Sequence, residues 1–141
     1  MFLGGDRPGI STAIVYDDRV YVVDLGVGSL QRLRHSGVAG AGGVARGIDY
    51  LVHEVIDPDF VDREVATRPP EATGPTREHL LAAHTTIEQV GRDVAEPAGA
   101  QNLVLSHRVP KTNPMSRWKQ AQRGCSGRLI VGEDLMGLSL G

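Results

Sequence analysis

Three short apolar runs that each lead into polar residues constrain the fold of this sequence more than any other feature. Residues 20–23 lead into Asp24, residues 50–52 into His53 and Glu54, and residues 103–105 into Ser106 and His107. A helical pattern separates the second run from the third, and strands that alternate with helices are typical of an α/β domain. Parallel neighbours end at one edge of their sheet, where open α/β sheets bind ligands. The sequence therefore predicts an α/β fold with a polar site at that edge.

The other elements follow from turn residues, helix caps and apolar spacing. Asp17 and Asp18 lie between two β-branched runs and predict a hairpin. Thr85 and Glu88 have the spacing of a capping box. In chain order we expect strands at 13–16 and 19–23, a short helix at 30–34, a glycine-rich break at 37–47, a buried strand at 48–56 with its polar residues at the end, a proline-rich loop at 63–75, helices at 76–83, from 85 to 97 and at 116–123, and a last strand at 128–131.

Composition and charge exclude several classes of protein. Fifteen Lys and Arg against seventeen Asp and Glu leave a formal charge of −2 without a run of like charge, so the charge pattern does not favour duplex nucleic acid or an anionic membrane. Cys125 is the only cysteine, which excludes an internal disulfide and a cysteine metal cluster. Met1 leads into neither a secretion signal nor an apolar stretch of about 20 residues. We expect a soluble, cytoplasmic, single-domain protein with no membrane partner.

Side-chain alternation decides which polar residue at a strand end faces the predicted site. Neighbours on a regular strand point to opposite faces, so His53 and Glu54 do not share a pocket. We assign Glu54 to the site and His53 to a structural position. The same alternation separates Ser106 from His107 and makes Ser106 a poor nucleophile. Each residue alone has a structural interpretation, Asp24 as a turn former and each histidine as a satisfied residue, but together they indicate a site.

Three further motifs admit a functional interpretation beside a simpler structural one. Gly26 and Gly28 before a helix could cradle an anion, although a tight turn uses the same residues. The basic residues around Trp118 could bind RNA, but a solvated helix anchored by one Trp has the same pattern. Basic neighbours could lower the pKa of Cys125, yet no candidate base accompanies it. We prefer the structural interpretation in all three cases.

Four motifs occur in an order that one family of hydrolases shares. They are Val22-Val23-Asp24-Leu25-Gly26, Tyr50-Leu51-Val52-His53-Glu54, His84-Thr85-Thr86 with Glu88-Gln89, and Leu103-Val104-Leu105-Ser106-His107. In this order the chain resembles the metallo-β-lactamase fold, and within it the branch of ribonuclease Z and the arylsulfatase-like hydrolases. The motifs cover most of the chain. The resemblance implies an αββα sandwich and zinc-dependent hydrolysis of a phosphodiester or another ester.

The resemblance also implies a role for each matched residue. His107 would bind one of two metal ions, and Asp24 would support the metal site from outside the ligand shell. Glu54 and His84 would pair to transfer a proton to the leaving group. These roles are chemically consistent, because a neutral imidazole at a strand end can bind Zn²⁺ through one nitrogen while an acceptor holds the other.

The sequence departs from the family in the part that binds the metals. It lacks the family's His-x-His-x-Asp-His loop and the Gly-Asp-Ser or Gly-Asp-Thr turn, and its five histidines include no His-x-His pair. Catalytic zinc needs three protein ligands and a water molecule, which His107 alone does not supply. We interpret residues 1–141 as one shortened domain of this fold, which lacks the central strands at a point within 37–47 through a deletion, a gene-model error or natural decay.

Two hypotheses of different class follow. The first is a zinc-dependent hydrolase that acts on a small ester or on a nucleic-acid phosphodiester, and it predicts bound metal. The second is a non-catalytic remnant or oligomeric interaction domain of the same fold, and it predicts neither metal nor activity. Half a sandwich leaves an apolar sheet face open, so a homo-oligomer that covers this face is a further expectation.

Overall fold

A single mixed sheet organises the part of the chain that the structure describes. The computed structural model describes residues 11–25 and 47–139. Its five strands lie side by side in chain order: β1 Thr12–Tyr16, β2 Arg19–Val23, β3 Tyr50–Ile56, β4 Asn102–Val109 and β5 Arg128–Val131. β1 is antiparallel to β2, and the strands from β2 to β5 are parallel. The predicted α/β class is confirmed.

The hairpin of β1 and β2 forms where the sequence predicts it. Asp17 and Asp18 join the strands with φ angles of 50° and 58°. A two-residue turn whose two central residues have positive φ has the twist that antiparallel strands need. Aspartate tolerates this left-handed region better than most residues. The Asp pair is therefore sufficient to form the turn without glycine.

Helices connect the parallel strands of the described part. Between β3 and β4 lie α1 Pro58–Val65, α2 Pro70–Ala83 and α3 Ile87–Gln89, which continues as a π-helical turn over Val90–Ala95. Between β4 and β5 lies α4 Met115–Trp118, which continues as a 3₁₀ turn over Lys119–Gln122. The predicted helix at 116–123 and strand at 128–131 are thus confirmed within about a residue at each end. The predicted helix at 30–34, the glycines at 26 and 28 and the deletion point within 37–47 lie outside the described residues.

The prediction of a loop at 63–75 is wrong. Most of this segment belongs to α1 and α2, and only residues 66–69 lie between them. Pro70 is compatible with the start of a helix, because an N–H group in the first turn has no intrahelical partner. The two helices pack together through the apolar side chains Val61, Val65, Leu80 and Leu81. This packing outweighs the local preference of the prolines, and α2 even accommodates Pro75 in its interior.

β3 ends at Ile56, as the sequence predicts, whereas β4 continues to Val109, well past the predicted run 103–105. His53 and Glu54 lie within β3. Ser106 and His107 lie within β4. The pairing of the two strands shifts after Glu54, which pairs with Ser106, and His107 is the extra residue of a bulge with a φ of 38°. The polar residues thus interrupt the apolar pattern of the strands, while the pairing of β3 with β4 continues on both sides of the bulge.

The two faces of the sheet have different surroundings. One face packs against α3 and α4 in a core that contains Val22, Leu51, Leu103, Leu105, Ile87, Val90 and Trp118. Burying a large apolar side chain contributes about 1.5–3 kcal/mol, so this face supplies most of the described core. Strand alternation and pairing place Tyr21, Val23, Tyr50, Val52, Val104 and Ile130 on the opposite face, called here the open face. Within residues 11–25 and 47–139 no helix of the main core packs against this face, and Val23 is 39% exposed.

Trp118 and Cys125 both belong to the helix side of the core. Trp118 is fully buried, which confirms its predicted role as the apolar anchor of a solvated helix. Cys125 is 8% exposed, and its burial raises the pKa of the thiol, although a backbone hydrogen bond opposes this shift. The possibility that basic neighbours lower this pKa is therefore wrong. Cys125 is a small buried residue.

Candidate functional site

The parallel strands bring the predicted polar residues to one edge of the sheet. β2 and β4 flank β3 on either side and run in the same direction as β3. Asp24 continues the pairing beyond β2, since its N–H donates to the carbonyl oxygen of Val52 at 2.8 Å. The carboxyl ends of these strands are the usual place for a ligand in an open α/β sheet. The predicted shared edge is confirmed.

Glu54 and His84 are in contact although 30 residues separate them in the chain. Oε2 of Glu54 lies 3.1 Å from Nδ1 of His84, and Oε1 of Glu54 accepts a hydrogen bond from the backbone N–H of Thr85. The side chains are 21% and 30% exposed, so solvent or a small ligand reaches the pair. The predicted contact between the two residues is confirmed.

The backbone on either side of the pair fixes its geometry. The N–H of Ile56 donates to the carbonyl oxygen of Thr85 at 2.9 Å, and Ile56 also forms an isolated parallel bridge with Thr86. His84 therefore comes directly after α2, and the residues that follow it are hydrogen-bonded to the end of β3. A position held by backbone hydrogen bonds on a sheet is more rigid than one on a free loop.

The capping box of α3 lies one residue later than predicted. Thr86 is the N-cap residue, and its side chain accepts from the backbone N–H of Gln89 while the Gln89 side chain accepts from the backbone N–H of Thr86. The prediction of Thr85 and Glu88 is wrong because the N–H of Thr85 is already bound to Glu54. The helix therefore begins after the contact between Thr85 and Glu54, and this contact sets the position of the cap.

Hydrogen bonding determines which nitrogen of His84 is available for chemistry. An ionised carboxylate only accepts hydrogen bonds, so Nδ1 of His84 carries the proton that is shared with Glu54. Nε2 is then the nitrogen left to exchange a proton with a bound molecule. An imidazole oriented by a carboxylate in this way can act as a general acid or base.

His53 is separated from this site, as strand alternation predicts. It is 5% exposed, and its Nδ1 donates to the carbonyl oxygen of Glu54 at 2.8 Å. It lies on the helix-covered face, whereas Glu54 lies on the open face. The structural assignment of His53 and the assignment of Glu54 to the opposite side are both confirmed.

His107 lies at an exposed position beside a groove of about 440 Å³ on the open face. The bulge turns this residue out of the regular alternation of β4, and His107 lines the groove together with its neighbour Ser106. The expectation that Ser106 and His107 do not form a nucleophile–base pair stays a prediction, since the groove is lined by five consecutive residues of β4 whichever face they occupy. Their adjacency at a bulge does not by itself give Ser106 a base, and no hydrogen bond between them supports nucleophilic catalysis.

Asp24 has the geometry of a turn residue. Its φ of 54° lies in the left-handed region, which aspartate adopts more readily than most side chains. The residue is partly buried next to the end of β3. This geometry supports the structural interpretation of Asp24, while its role beside a metal site stays a prediction.

The described residues do not fit a catalytic zinc ion. No three of the His, Cys, Asp and Glu side chains at 11–25 and 47–139 are arranged to hold a metal. Glu54 holds one nitrogen of His84, and His107 is the one residue for which the family resemblance implies a metal bond. A catalytic zinc site needs three protein ligands around an open position. The described residues by themselves therefore do not complete such a site.

A second polar cluster near this edge is not apparent from the sequence. Asp57 follows β3 with its side chain only 3% exposed, and it accepts hydrogen bonds from Arg117 at 2.6 Å and from Asn113 at 2.6 Å. It also caps α1 by accepting from the N–H of Asp59. The one local indication is an Asp directly before Pro58, which is typical of a helix start. The cluster joins α1, the β4–α4 connection and α4 behind the site.

Comparisons with known proteins leave the family open. No protein-family model matches the chain, and a search of curated proteins found no match. Among the described helices none has the length and hydropathy that crossing a lipid bilayer requires.

Proposed function

We propose that this chain is a hydrolase-family protein of the metallo-β-lactamase fold that acts on a phosphodiester or another ester. Glu54 and His84 transfer a proton to the leaving group. The observation that carries this proposal is their hydrogen bond of 3.1 Å at the carboxyl end of parallel strands. Two residues that are 30 positions apart meet at the edge where such sheets bind ligands.

The proposed chemistry follows from the hydrogen bonds of the pair. Glu54 accepts a hydrogen bond from Nδ1 of His84 and leaves Nε2 as the nitrogen that faces the reaction. In the protonated ring, Nε2 donates a proton to the oxygen of the leaving group while Nδ1 keeps its proton beside Glu54. The backbone N–H of Thr85 holds the second oxygen of Glu54 and so fixes the carboxylate in place. Positioned proton transfer contributes about 10²–10⁴-fold to a rate.

The open face supports the proposed fold. A sandwich of two sheets buries the apolar faces of both, about 10 Å apart. The open face carries the side chains that a second sheet would cover, among them Tyr21 and Tyr50, whose rings stack at 5.7 Å. We assign no chemical step to zinc, since the described residues offer no set of three ligands.

Matched substitutions test the role of the pair. The activity of the purified chain is measured on bis(p-nitrophenyl) phosphate and on p-nitrophenyl acetate, and bound zinc is measured by elemental analysis. We expect Glu54→Gln and His84→Asn each to lower kcat by about 10²-fold or more. Glu78→Gln and His79→Asn change the same residue types at exposed positions of α2 and leave kcat unchanged.

Two results contradict the proposal. One is no hydrolysis above the buffer rate by the unsubstituted chain, combined with less than about a tenth of an equivalent of zinc. The other is measurable hydrolysis that both Glu54→Gln and His84→Asn leave intact, because the activity would then come from another site.

The second candidate function is a non-catalytic, self-associating domain of the same fold. The exposed apolar side chains of the hairpin favour it: Ile14 is 52% exposed, Tyr16 68% and Val23 39%, and strand pairing places all three on the open face. Light scattering after size-exclusion chromatography measures the oligomeric state. We expect a dimer that Ile14→Lys dissociates, whereas Val15→Lys on the other face of β1 does not. A monomer at about 100 μM removes this candidate.

A further inference from the structure

The groove on the open face combines an apolar floor with a charged rim. Its volume of about 440 Å³ lies within the range of pockets that bind small molecules. The floor and walls include Val52, Val104, Met136 and Leu138, and the polar lining includes Ser106, His107, Arg108, Lys111, Glu133 and Asp134. Pockets of this kind bind a ligand through apolar contact and orient it through a few polar groups.

One wall of the groove comes from a segment that crosses the open face. This C-terminal segment, residues 132–139, is tied to the sheet at both ends. The N–H of Gly132 donates to the carbonyl oxygen of Leu105 at 2.9 Å. The hydroxyl of Tyr50 donates to the carbonyl oxygen of Ser139 at 2.9 Å. The segment therefore brings its acidic residues to the basic rim.

A carboxylate of the chain already occupies the basic rim of the groove. Nζ of Lys111 lies 2.8 Å from Oδ2 of Asp134. The hydrogen bond from Lys111 holds the pKa of the Asp134 carboxyl below its usual value, and the charges of Lys111 and Arg108 act in the same direction. Lys111 by contact and Arg108 through its charge alone therefore stabilise a negative charge at this rim, which Glu133 also lines, and the Arg108 guanidinium itself lies 5.8 Å from the centre of the Trp118 ring.

The ion pair between Lys111 and Asp134 is weak enough for an anionic ligand to replace Asp134. The side chains of Lys111 and Asp134 are 69% and 88% exposed. Ion pairs between such exposed groups contribute little to stability, because water screens the charges and two flexible side chains must be ordered. An anionic group on a ligand whose body fills the apolar floor has the additional contacts that Asp134 lacks.

We propose that the groove binds a small molecule that has an apolar body and one anionic group, and that the anionic group replaces Asp134 beside Lys111 and Arg108. The apolar body lies against Val52 and Val104. If this ligand is the substrate, the inference rests on the proposed hydrolase. The groove adjoins the candidate site, because Ser106 lines the groove and pairs with Glu54 in the sheet. The binding site itself is argued from the groove alone.

A pair of matched probes tests the charge requirement. Binding of 2-naphthalenesulfonate and of the neutral 2-naphthylmethanol is measured by isothermal titration calorimetry on the full chain. We expect the anion to bind about tenfold more tightly or better. We expect Lys111→Ala to weaken binding of the anion and not of the neutral probe. Asp134→Asn removes the competing carboxylate and tightens binding of the anion by about two- to fivefold.

A second ion pair provides the control variant. Asp62 and Arg77 form an exposed pair at 2.6 Å between α1 and α2, away from the groove. Asp62→Asn changes the net charge of the protein as Asp134→Asn does, and it leaves the affinity for the anion unchanged. Circular dichroism shows that each variant is folded before it is titrated.

Each further outcome separates this inference from the proposed function. Equal affinity for the two probes, or no tightening by Asp134→Asn, overturns the inference and identifies an apolar patch without charge recognition. Selective binding of the anion without hydrolysis of either ester and without bound zinc supports the site and overturns the hydrolase. Hydrolysis without selective binding of the anion overturns the site alone.

Discussion

Asp57→Asn removes a buried charge while it preserves the shape and the helix cap at that position. The Asp57 carboxylate accepts from Nη2 and Nε of Arg117 at 2.6 and 3.1 Å and from Nδ2 of Asn113 at 2.6 Å. Asparagine caps helices about as well as aspartate, so α1 keeps its cap. The substitution therefore tests the ion pair and its hydrogen bonds rather than the start of the helix.

The expected loss in the free energy of unfolding depends on the contacts that Arg117 keeps after the substitution. Removing one partner of a buried ion pair costs about 3–5 kcal/mol, because the other charge stays buried without compensation. Arg117 still contacts Glu88 at 3.0 Å and the side-chain oxygen of Gln120 at 2.9 Å. Hydrogen bonds to charged groups are worth about 1.5–3 kcal/mol, so these contacts offset part of the loss. We expect the free energy of unfolding to fall by about 2–3 kcal/mol at pH 7.

The effect of the substitution depends on pH. Burial by itself raises the pKa of the Asp57 carboxyl, but the hydrogen bonds from Arg117, Asn113 and the backbone of Asp59, together with the charge of Arg117, hold it below the usual value. A carboxyl whose pKa is lower in the folded than in the unfolded chain stabilises the fold above the unfolded pKa of about 3.9. This stabilisation is lost as pH falls through the folded pKa. Asparagine does not titrate, so the difference between the two proteins shrinks toward pH 3.

Urea unfolding followed by the fluorescence of Trp118 measures these differences. Trp118 is the only tryptophan and is fully buried, so its emission reports unfolding of the core. Asp62→Asn, which breaks an exposed pair, serves as the control and lowers the free energy of unfolding much less than Asp57→Asn does. A loss below about 0.5 kcal/mol for Asp57→Asn at pH 7, or the same loss at pH 7 and pH 3, would refute the reasoning.

Three further predictions concern packing, capping and burial. A Cβ added at Gly91 would clash with the carbonyl oxygen of Ala121, whereas a Cβ added at Gly74 has nothing within 4 Å. We therefore expect Gly91→Ala to lower the free energy of unfolding by about 1–3 kcal/mol. We expect Gly74→Ala, in the same assay, to raise it by about 0.5–1 kcal/mol. Thr86→Ala removes the cap of α3 and costs about 0.5–2 kcal/mol in the same assay, more than Thr85→Ala, and the reverse order contradicts the observed cap. Cys125 reacts slowly with iodoacetamide at pH 7.5 because burial protects it and raises its pKa, and rapid labelling of the folded chain argues against this environment.

Local patterns predict those elements that depend on neighbouring residues. The turn at Asp17 and Asp18 and the strand at 128–131 occur where the sequence predicts them, because turn preferences and β-branched runs act over a few positions. The segment 63–75 was predicted as a loop from its prolines, yet α1 and α2 include most of it. A proline near a helix start costs little, and the decisive contacts with Leu80 and Leu81 come from the far end of α2.

The candidate site, like the fold, could be predicted only where it depends on neighbouring residues. Alternation along one strand is enough to place Glu54 and His53 on opposite faces. The bulge at His107 is not encoded by alternation, and His107 lines the same groove as Ser106. The buried pair of Asp57 and Arg117 spans 60 positions, so no local pattern reveals it.

The sequence by itself determines that this chain forms an α/β sheet whose parallel strands carry polar residues in their carboxyl-terminal halves or directly after them, because strand period, turn residues and helix caps are properties of short segments. Tertiary structure alone decides what those polar residues do. It joins Glu54 to His84 and Thr85, leaves His107 beside a groove and provides no set of three metal ligands in the described part of the chain. The reason is physical: a hydrogen bond or a coordination site requires groups within about 3 Å, and only the packing of distant segments sets such distances.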